Sequence, residues 1–295
     1  MASSRLETAL ATAGTGRLLT IGIGAGHGLE ARDPDRTLIV QRLWPEVAAL
    51  RAAGADPVTQ AEGRFDAAIV ALSRARAETR ARIAEAAAHM PAGAALWIDG
   101  QKTDGIDSVL RELRALAPVD HVEARAHGKI FRVTIPEGDW LPADWAARDH
   151  EVAPGFITRP GVFSADGPDP ASQTLAAALP ARLPARMVDL GAGWGWLGAQ
   201  VLAHPGVEIL HLVEADATAL DCARRNVTDP RARFHWADAL DFRLPEPVNG
   251  VVMNPPFHDG RAADPGLGGR FIRAAAGLLT GAGRLWMVAN RHLPY

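Results

Sequence analysis

Asn254-Pro255-Pro256-Phe257 closes an apolar run, Val251-Val252-Met253, and joins a side-chain amide to two prolines and an aromatic ring. Proline lacks an N–H and restrains the residue before it, so this stretch forms a stiff loop with its carbonyls held in place. The Asn254 side-chain oxygen and the Pro255 carbonyl suit the two hydrogens of an amine borne on an aromatic ring, and Phe257 suits stacking on that ring. Such a nitrogen is a poor nucleophile, because its lone pair is delocalised into the ring. Gripping both hydrogens favours a pyramidal nitrogen with its lone pair aimed at an incoming methyl group. Hydride transfer calls for nothing of this kind.

A second signal lies upstream, in Met187-Val-Asp189-Leu-Gly191-Ala-Gly193-Trp-Gly195-Trp-Leu-Gly198, an apolar strand running through a glycine-rich turn into a helix. Glycines let the backbone approach a ligand, and the helix start offers free N–H groups. Gly193-x-Gly195-x-x-Gly198 also satisfies the dinucleotide pattern G-x-G-x-x-G, so the glycines alone leave a nicotinamide or flavin open. Glu214 ends the next strand, at a distance that suits a carboxylate accepting from ribose hydroxyls. Asp238 follows the third strand and suits either an adenine amino group or a turn cap.

The elements that must position these residues alternate along the chain. Apolar strand-like runs at 18–23, 37–43, 66–72, 94–99 and 129–135 are separated by Ala-rich helical stretches such as 74–89 and 106–116. The alternation repeats, with strands near 186–190, 208–214, 233–236, 249–253 and 284–289 and helices near 197–203, 217–226 and 269–279. Two tandem α/β units with mainly parallel sheets follow. Residues 91–99 also resemble residues 280–288, each a glycine turn leading into a strand with a tryptophan, as a duplicated domain would give. The segment 136–160 is rich in Pro, Gly and acids but holds Trp140 and Trp145, so it reads as an ordered connector.

Composition narrows the classes. The 295 residues are 48% hydrophobic and 22% charged, which excludes a wholly disordered, collagenous or membrane protein. No apolar stretch approaches the ~20 residues of a membrane span, the start lacks a signal-peptide block, and the single cysteine, Cys222, excludes an intramolecular disulfide framework. These point to the cytoplasm and to no membrane partner. The net charge of −3 divides evenly between the halves, so a nucleic-acid partner would need a local basic patch. Arg74, Arg76, Arg80 and Arg82 form the densest such cluster, with Glu78 and Glu85 among them, and read either as phosphate contacts or as a solvated face. Histidines show no paired ligand spacing, and no metal is expected.

Asp189-x-Gly191-x-Gly193-x-Gly195 together with Asn254-Pro-Pro-Phe257 resembles the class I S-adenosylmethionine-dependent amino-methyltransferases. Pro160-Gly-Val-Phe163-Ser164-x-Asp166-Gly167, Ser172-Gln173, Asn254-Pro-Pro-Phe-His-Asp-Gly260 and Val288-Ala-Asn290-x-x-Leu293-Pro-Tyr295 narrow the likeness to the bacterial ribosomal-RNA guanine-N2 methyltransferases. The small-subunit enzyme is the nearer match and the large-subunit enzyme the second. The resemblance covers residues ~155–295 well and the first half loosely.

That resemblance implies two tandem Rossmann-like methyltransferase domains. The first, 1–135, would be a degenerate copy used to recognise RNA. It has Ala71-Leu-Ser-Arg74 in place of Asn-Pro-Pro, and no acid before its run Gly22-Ile-Gly24-Ala-Gly26-His-Gly28, so it should not bind cofactor. After the connector 136–160, residues 161–295 would bind S-adenosyl-L-methionine. Asp189, Gly191, Gly193 and Gly195 would line its methionine end, Glu214 its ribose, and Asp238 with Ala239 its adenine. Phe163 and Ser164 would close over it, and Asn254 would border it. Asn254, Pro255, Pro256 and Phe257 would hold the guanine of ribosomal RNA or of a ribosomal subunit, and His258 is a candidate to take the departing proton.

The sequence stops after a fifth strand where this fold usually adds an antiparallel pair, so the catalytic unit is expected to lack its last strands and to expose residues 285–288 as an edge. Adenine-N6 and protein-glutamine methyltransferases share the Asn-Pro-Pro logic. A catalytically silent RNA-binding or ribosome-assembly protein is the reading from another class. Oligomeric state is left open by the sequence.

Overall fold

The computed structural model describes residues 4–12, 16–256, 258–259, 262–263 and 265–289. The chain divides into two compact units, Met1–Arg148 and Asp149–Tyr295.

The first unit runs α1 (Ser4–Thr12), β1 (Leu18–Ile21), β2 (Thr37–Val40), α2 (Trp44–Ala52), β3 (Ala67–Ala71), α3 (Arg76–Ala88), β4 (Ala95–Gln101), α4 (Ile106–Arg114), β5 (Val119–Arg125) and β6 (Gly128–Thr134). Its sheet has the order β2-β1-β3-β4-β6-β5, parallel from β2 to β4 and antiparallel at β6 and β5. The buried runs Leu18–Ile21 and Ala67–Val70 lack polar alternation because both faces of a parallel sheet are covered. On α4 the buried residues Ile106, Val109, Leu110 and Leu113 recur at helical spacing and form one apolar stripe. Arg5 of α1 is 1% exposed and is neutralised by Asp99 at 2.8 Å.

The second unit starts with the hairpin β7 (His150–Ala153) and β8 (Phe156–Thr158), then α5 (Pro170–Ala178), β9 (Arg186–Leu190), α6 (Trp196–Leu202), β10 (Ile209–Glu214), α7 (Ala217–Asn226), β11 (Ala232–Trp236) and β12 (Val248–Met253). A two-residue pair, β13 (His258–Asp259) and β14 (Ala262–Ala263), precedes α8 (Pro265–Leu278) and β15 (Leu279–Met287). The sheet is parallel throughout, in the order β11-β10-β9-β12-β15. The order reverses direction between β9 and β12, and in open α/β sheets that reversal leaves a crevice beyond the strands' carboxyl ends. Register sets what meets there: Val252 pairs with Asp189, so Asn254 and Gly191 leave the sheet side by side.

The expected connector 136–160 does not stand as a separate piece, because the boundary falls between Arg148 and Asp149. Trp145 is 3% exposed in the first unit's core, whereas β7 and β8 belong to the second. Among the described residues β15 pairs only with β12, and Leu285, Trp286 and Met287 are half-buried.

Candidate active site

The crevice at the ends of β9 and β12 opens into a cavity whose wall includes Gly191, Ala192 and Gly193 on one side and Asn254 on the other. Phe163, Ser164, Asp169 and Ser172 line it from the segment that precedes β9, and Trp194, Trp196 and Leu197 from the turn into α6. Gly191 (φ +84°) and Gly193 (φ +55°) occupy the left-handed region, and a Cβ placed on either would meet only open space. Their backbone therefore faces the cavity directly. Gly195 (φ +87°) has another reason to be glycine: a Cβ there would stand 2.9 Å from Val227 and 3.2 Å from Ala223. It serves the packing of α6 against α7 and does not line the cavity.

Phe163 and Ser164 reach the wall because the segment after β8 is tied to the glycine turn. The Trp194 indole N–H donates to the Phe163 carbonyl at 3.0 Å, and the Ser164 hydroxyl donates to the Gly167 carbonyl at 2.7 Å. Asn226, at the end of α7, accepts from the Ile157 N–H and donates to the carbonyls of Ile157 and Trp194, each at 2.8 Å. The Phe163 ring is 63% exposed, so it borders the opening. Trp194 enters the core at 4% exposed, and Trp196 packs partly buried against it.

Asp189 stands buried behind the glycine turn, and Glu214, half-buried at the end of β10, holds the turn at Gly193. The Asp189 carboxylate is buried under Gly198, and neither of its oxygens has a hydrogen-bond partner of good geometry. Burial, reinforced by the Glu214 carboxylate, pushes its pKa up to about 7, with the Gly198 N–H opposing only in part. Burial also raises Glu214, although its oxygens accept from the Gly193 N–H at 2.7 Å and the Asp216 N–H at 2.8 Å. The site is therefore short of positive charge, and a cation bound nearby would lower its energy.

Asp238 takes the capping role, accepting from the Leu240 N–H at 2.8 Å, and Ala239 is buried in the core beside it. Pro255 and Pro256 extend the chain from Asn254, while Phe257 and the His258 side chain lie outside the described residues, as do Gly260 and Asn290 to Tyr295.

The sequence singled out neither Asp169 nor Ser172 as a site residue, yet both hold Asn254. Its side-chain NH2 donates to the Asp169 carboxylate and to the Ser172 hydroxyl oxygen, each at 2.9 Å. A signal existed in Asp169-Pro170, an acid ahead of a proline, which marks a helix start.

In the first unit the start of the glycine run, Gly22 and Gly24, is closed by side chains, while Gly26 and Gly28 face open space. The Arg82 guanidinium lies against Gly22, where a Cβ would stand 2.2 Å from it, and the Glu46 carboxylate lies against Gly24 at 2.0 Å. The arginines of α3 and its approach are matched by acids: Arg74 faces Asp104 at 3.9 Å, Arg76 and Arg80 pair with Glu112, and Arg82 pairs with Glu78. That arrangement is the solvated, ion-paired face. Cys222 is fully buried, and burial pushes its thiol up to about 11. Among the described residues, no helix is long and apolar enough to cross a membrane, and no three His, Cys, Asp or Glu side chains gather as for a metal.

Residues 154–295 match the family model described as the methyltransferase small domain. The ribosomal RNA small subunit methyltransferase C of Hahella chejuensis is 30% identical over 212 residues, which cover 68% of this chain and 61% of that protein. The protein of the same name from Pseudomonas aeruginosa is 29% identical, over 79% of this chain and 72% of its own. In sequence the chain is similar to these ribosomal RNA small subunit methyltransferases, and its residues 154–295 to the methyltransferase small domain. It spans 61% of the length of the first of these relatives. A solved 16S rRNA N2 methyltransferase from T. thermophilus, in complex with AdoMet and guanosine, superposes over 95% of this chain and 81% of its own. Its TM-score is 0.77 at 23% identity, and the shared feature is the Rossmann-like α/β methyltransferase fold.

Proposed function

We propose that this chain methylates the exocyclic N2 amine of a guanine in small-subunit ribosomal RNA, with S-adenosyl-L-methionine as donor. One observation carries the reading: Asn254, backed by two prolines, shares a single cavity with the exposed backbone of Gly191 and Gly193. The residues also fit the donor. Asp189 is a buried acid with no partner and Glu214 a second acid beside it, and S-adenosylmethionine brings an ammonium and a sulfonium. Gly191 and Gly193 would hold its methionine end, Glu214 its ribose, and Phe163 with Ser164 its outer side. When bound, the donor supplies a methyl group made electrophilic by the sulfonium.

The protein's part is positioning, which is worth up to roughly 7–11 kcal/mol in favourable intramolecular cases. The Asn254 Oδ1 and the Pro255 carbonyl accept the two amine hydrogens of guanine and hold its nitrogen pyramidal, with the lone pair facing the glycine turn. Phe257 is assigned the stacking role by the sequence motif alone. The methylated amine is cationic until it loses a proton, which it gives up readily, so no strong base is required. A guanine in folded RNA must leave its stack to reach this site, at a cost of a few kcal/mol.

The first unit fits a degenerate copy of the second that serves RNA recognition. The strand order β2-β1-β3-β4 parallels β10-β9-β12-β15, and Arg82 with Glu46 fills the space that Gly191 and Gly193 leave open.

Mass mapping of ribosomal RNA tests the whole reading. Cells lacking the gene should lose one N2-methylguanine, wild-type protein should restore it, and Asn254→Ala should not. Retention of every N2-methylguanine in the deletion strain would refute the substrate. Calorimetry should give one S-adenosylmethionine per chain, and two would refute the assignment of the first unit.

A further inference from the structure

An asparagine amide is nearly symmetrical in shape but opposite in function at its two ends, and a reaction that needs its oxygen must prevent it from turning over. Asn254 is held at the NH2 end. Both acceptors come from the start of α5, more than eighty positions earlier: Asp169 Oδ2 and Ser172 Oγ, each 2.9 Å from Asn254 Nδ2. Among the described residues no donor reaches Asn254 Oδ1. The same Asp169 oxygen caps α5 by accepting from the Ser172 N–H at 2.8 Å, so helix and amide are fixed by one group.

We propose that Asp169 and Ser172 are positioning residues that lock the Asn254 amide with its oxygen toward the substrate amine, a role that rests on the methyltransferase reading above. The two acceptors contribute differently. A carboxylate only accepts, so Asp169 tolerates the NH2 end alone and dictates the orientation. A hydroxyl donates or accepts, so Ser172 takes up the second hydrogen without choosing between the ends. Without the carboxylate the two orientations approach parity. In the wrong one the NH2 end confronts an amine that itself offers only hydrogens.

Asp169→Ser isolates this function, because serine caps a helix as well as aspartate does, while its hydroxyl, one bond shorter and able to donate as well as accept, no longer dictates which end of the Asn254 amide faces it. Steady-state methylation of small-subunit RNA should show kcat lower by about 10- to 100-fold. KM for RNA, the Kd for S-adenosylmethionine and the Tm should stay within about twofold or a few degrees of wild type. Ser172→Ala should act in the same direction, and Ser172→Thr should recover most of the rate. Unchanged kcat in Asp169→Ser would overturn the proposal. So would a loss shared equally with donor affinity, which would make Asp169 a ligand contact, or a matching fall in Tm, which would make it only a cap.

A second readout needs no turnover. The Asn254 side-chain NH2 resonances, assigned by their absence in Asn254→Ala, should show two hydrogen-bonded protons in wild type that exchange faster in Asp169→Ser. A freely exchanging pair in wild type would overturn the lock even in an active enzyme. If wild type methylates no guanine, the methyltransferase reading falls and this measurement alone decides the lock.

Discussion

Replacing Asp189 by asparagine should stabilise the ligand-free protein while weakening its hold on the donor. In the fold the Asp189 carboxylate is buried, has no hydrogen-bond partner of good geometry among the described residues, and has its pKa raised from 3.8 to about 7. In the unfolded chain it ionises at its ordinary value. Between those two pH values the folded state carries the extra proton, so stability is greatest below pH ~4 and falls as pH rises through about 7. At ~1.4 kcal/mol for each pH unit crossed, the penalty is roughly 2 kcal/mol at pH 5 and roughly 4 kcal/mol at pH 8. Asparagine keeps the shape and removes the charge. Its advantage over wild type should therefore grow by roughly 2–3 kcal/mol from pH 5 to pH 8, a further shift of roughly 1 M in the urea midpoint. Hydrogen exchange in urea, read on peptides from β9 and β10, assigns the shift to the second unit. Comparing variant with wild type at each pH cancels the contribution of every other titrating group. The functional counterpart is selective: S-adenosylmethionine should lose affinity, and S-adenosylhomocysteine, whose sulfur is neutral, should lose less. A pH-independent difference between the two proteins would refute the uncompensated-acid argument.

Two glycines of one turn should respond differently to alanine. Gly195→Ala drives a methyl into Val227 and Ala223 on top of the left-handed backbone strain of about 1–2 kcal/mol that both positions carry, and should lower stability by about 2–4 kcal/mol in a thermal melt, whereas Gly193→Ala incurs that strain alone and should also weaken donor binding in calorimetry. Asn226→Ala leaves the Ile157 amide and two carbonyls without their partner, so the β7–β8 hairpin should lose exchange protection by about 1–3 kcal/mol, with the far side of the sheet unaffected. His211 and His235 contact each other at 2.9 Å, and burial followed by its neighbour depresses His211 to about 4. Its contribution is present above the ordinary histidine value of 6.5 and lost as pH falls toward 4, so His211→Gln should flatten the acid limb of the stability profile. An unchanged limb would show that the pair does not titrate as a unit.

Periodicity gave every strand of the two large sheets except β5 to within about five residues, because parallel strands buried on both faces must be continuously apolar and β9 and α7 are bounded by sharp changes of composition, whereas β5 is exposed along most of its length and carries no apolar run. Several elements left no such mark. α2 and α5 are short and partly exposed, so the stripe that identifies a helix is too brief to count, and the β7–β8 hairpin hides in a Pro- and Gly-rich stretch read as a connector. Trp145 in that stretch is buried, and only packing shows which core receives it.

The sequence by itself determined the chemistry: a proline-stiffened amide, a glycine turn after an apolar strand, and the acids near them are local features whose meaning lies in residue type and spacing. The tertiary structure decided how those residues are used. Strand register sets Asn254 beside Gly191, α7 makes Gly195 a packing residue, Arg82 closes over Gly22 in the first unit, and the start of α5 fixes the Asn254 amide. Each of these depends on groups far apart in the chain. Spacing cannot encode them, because a hydrogen bond or a steric contact is set by distance in space and not by distance along the backbone.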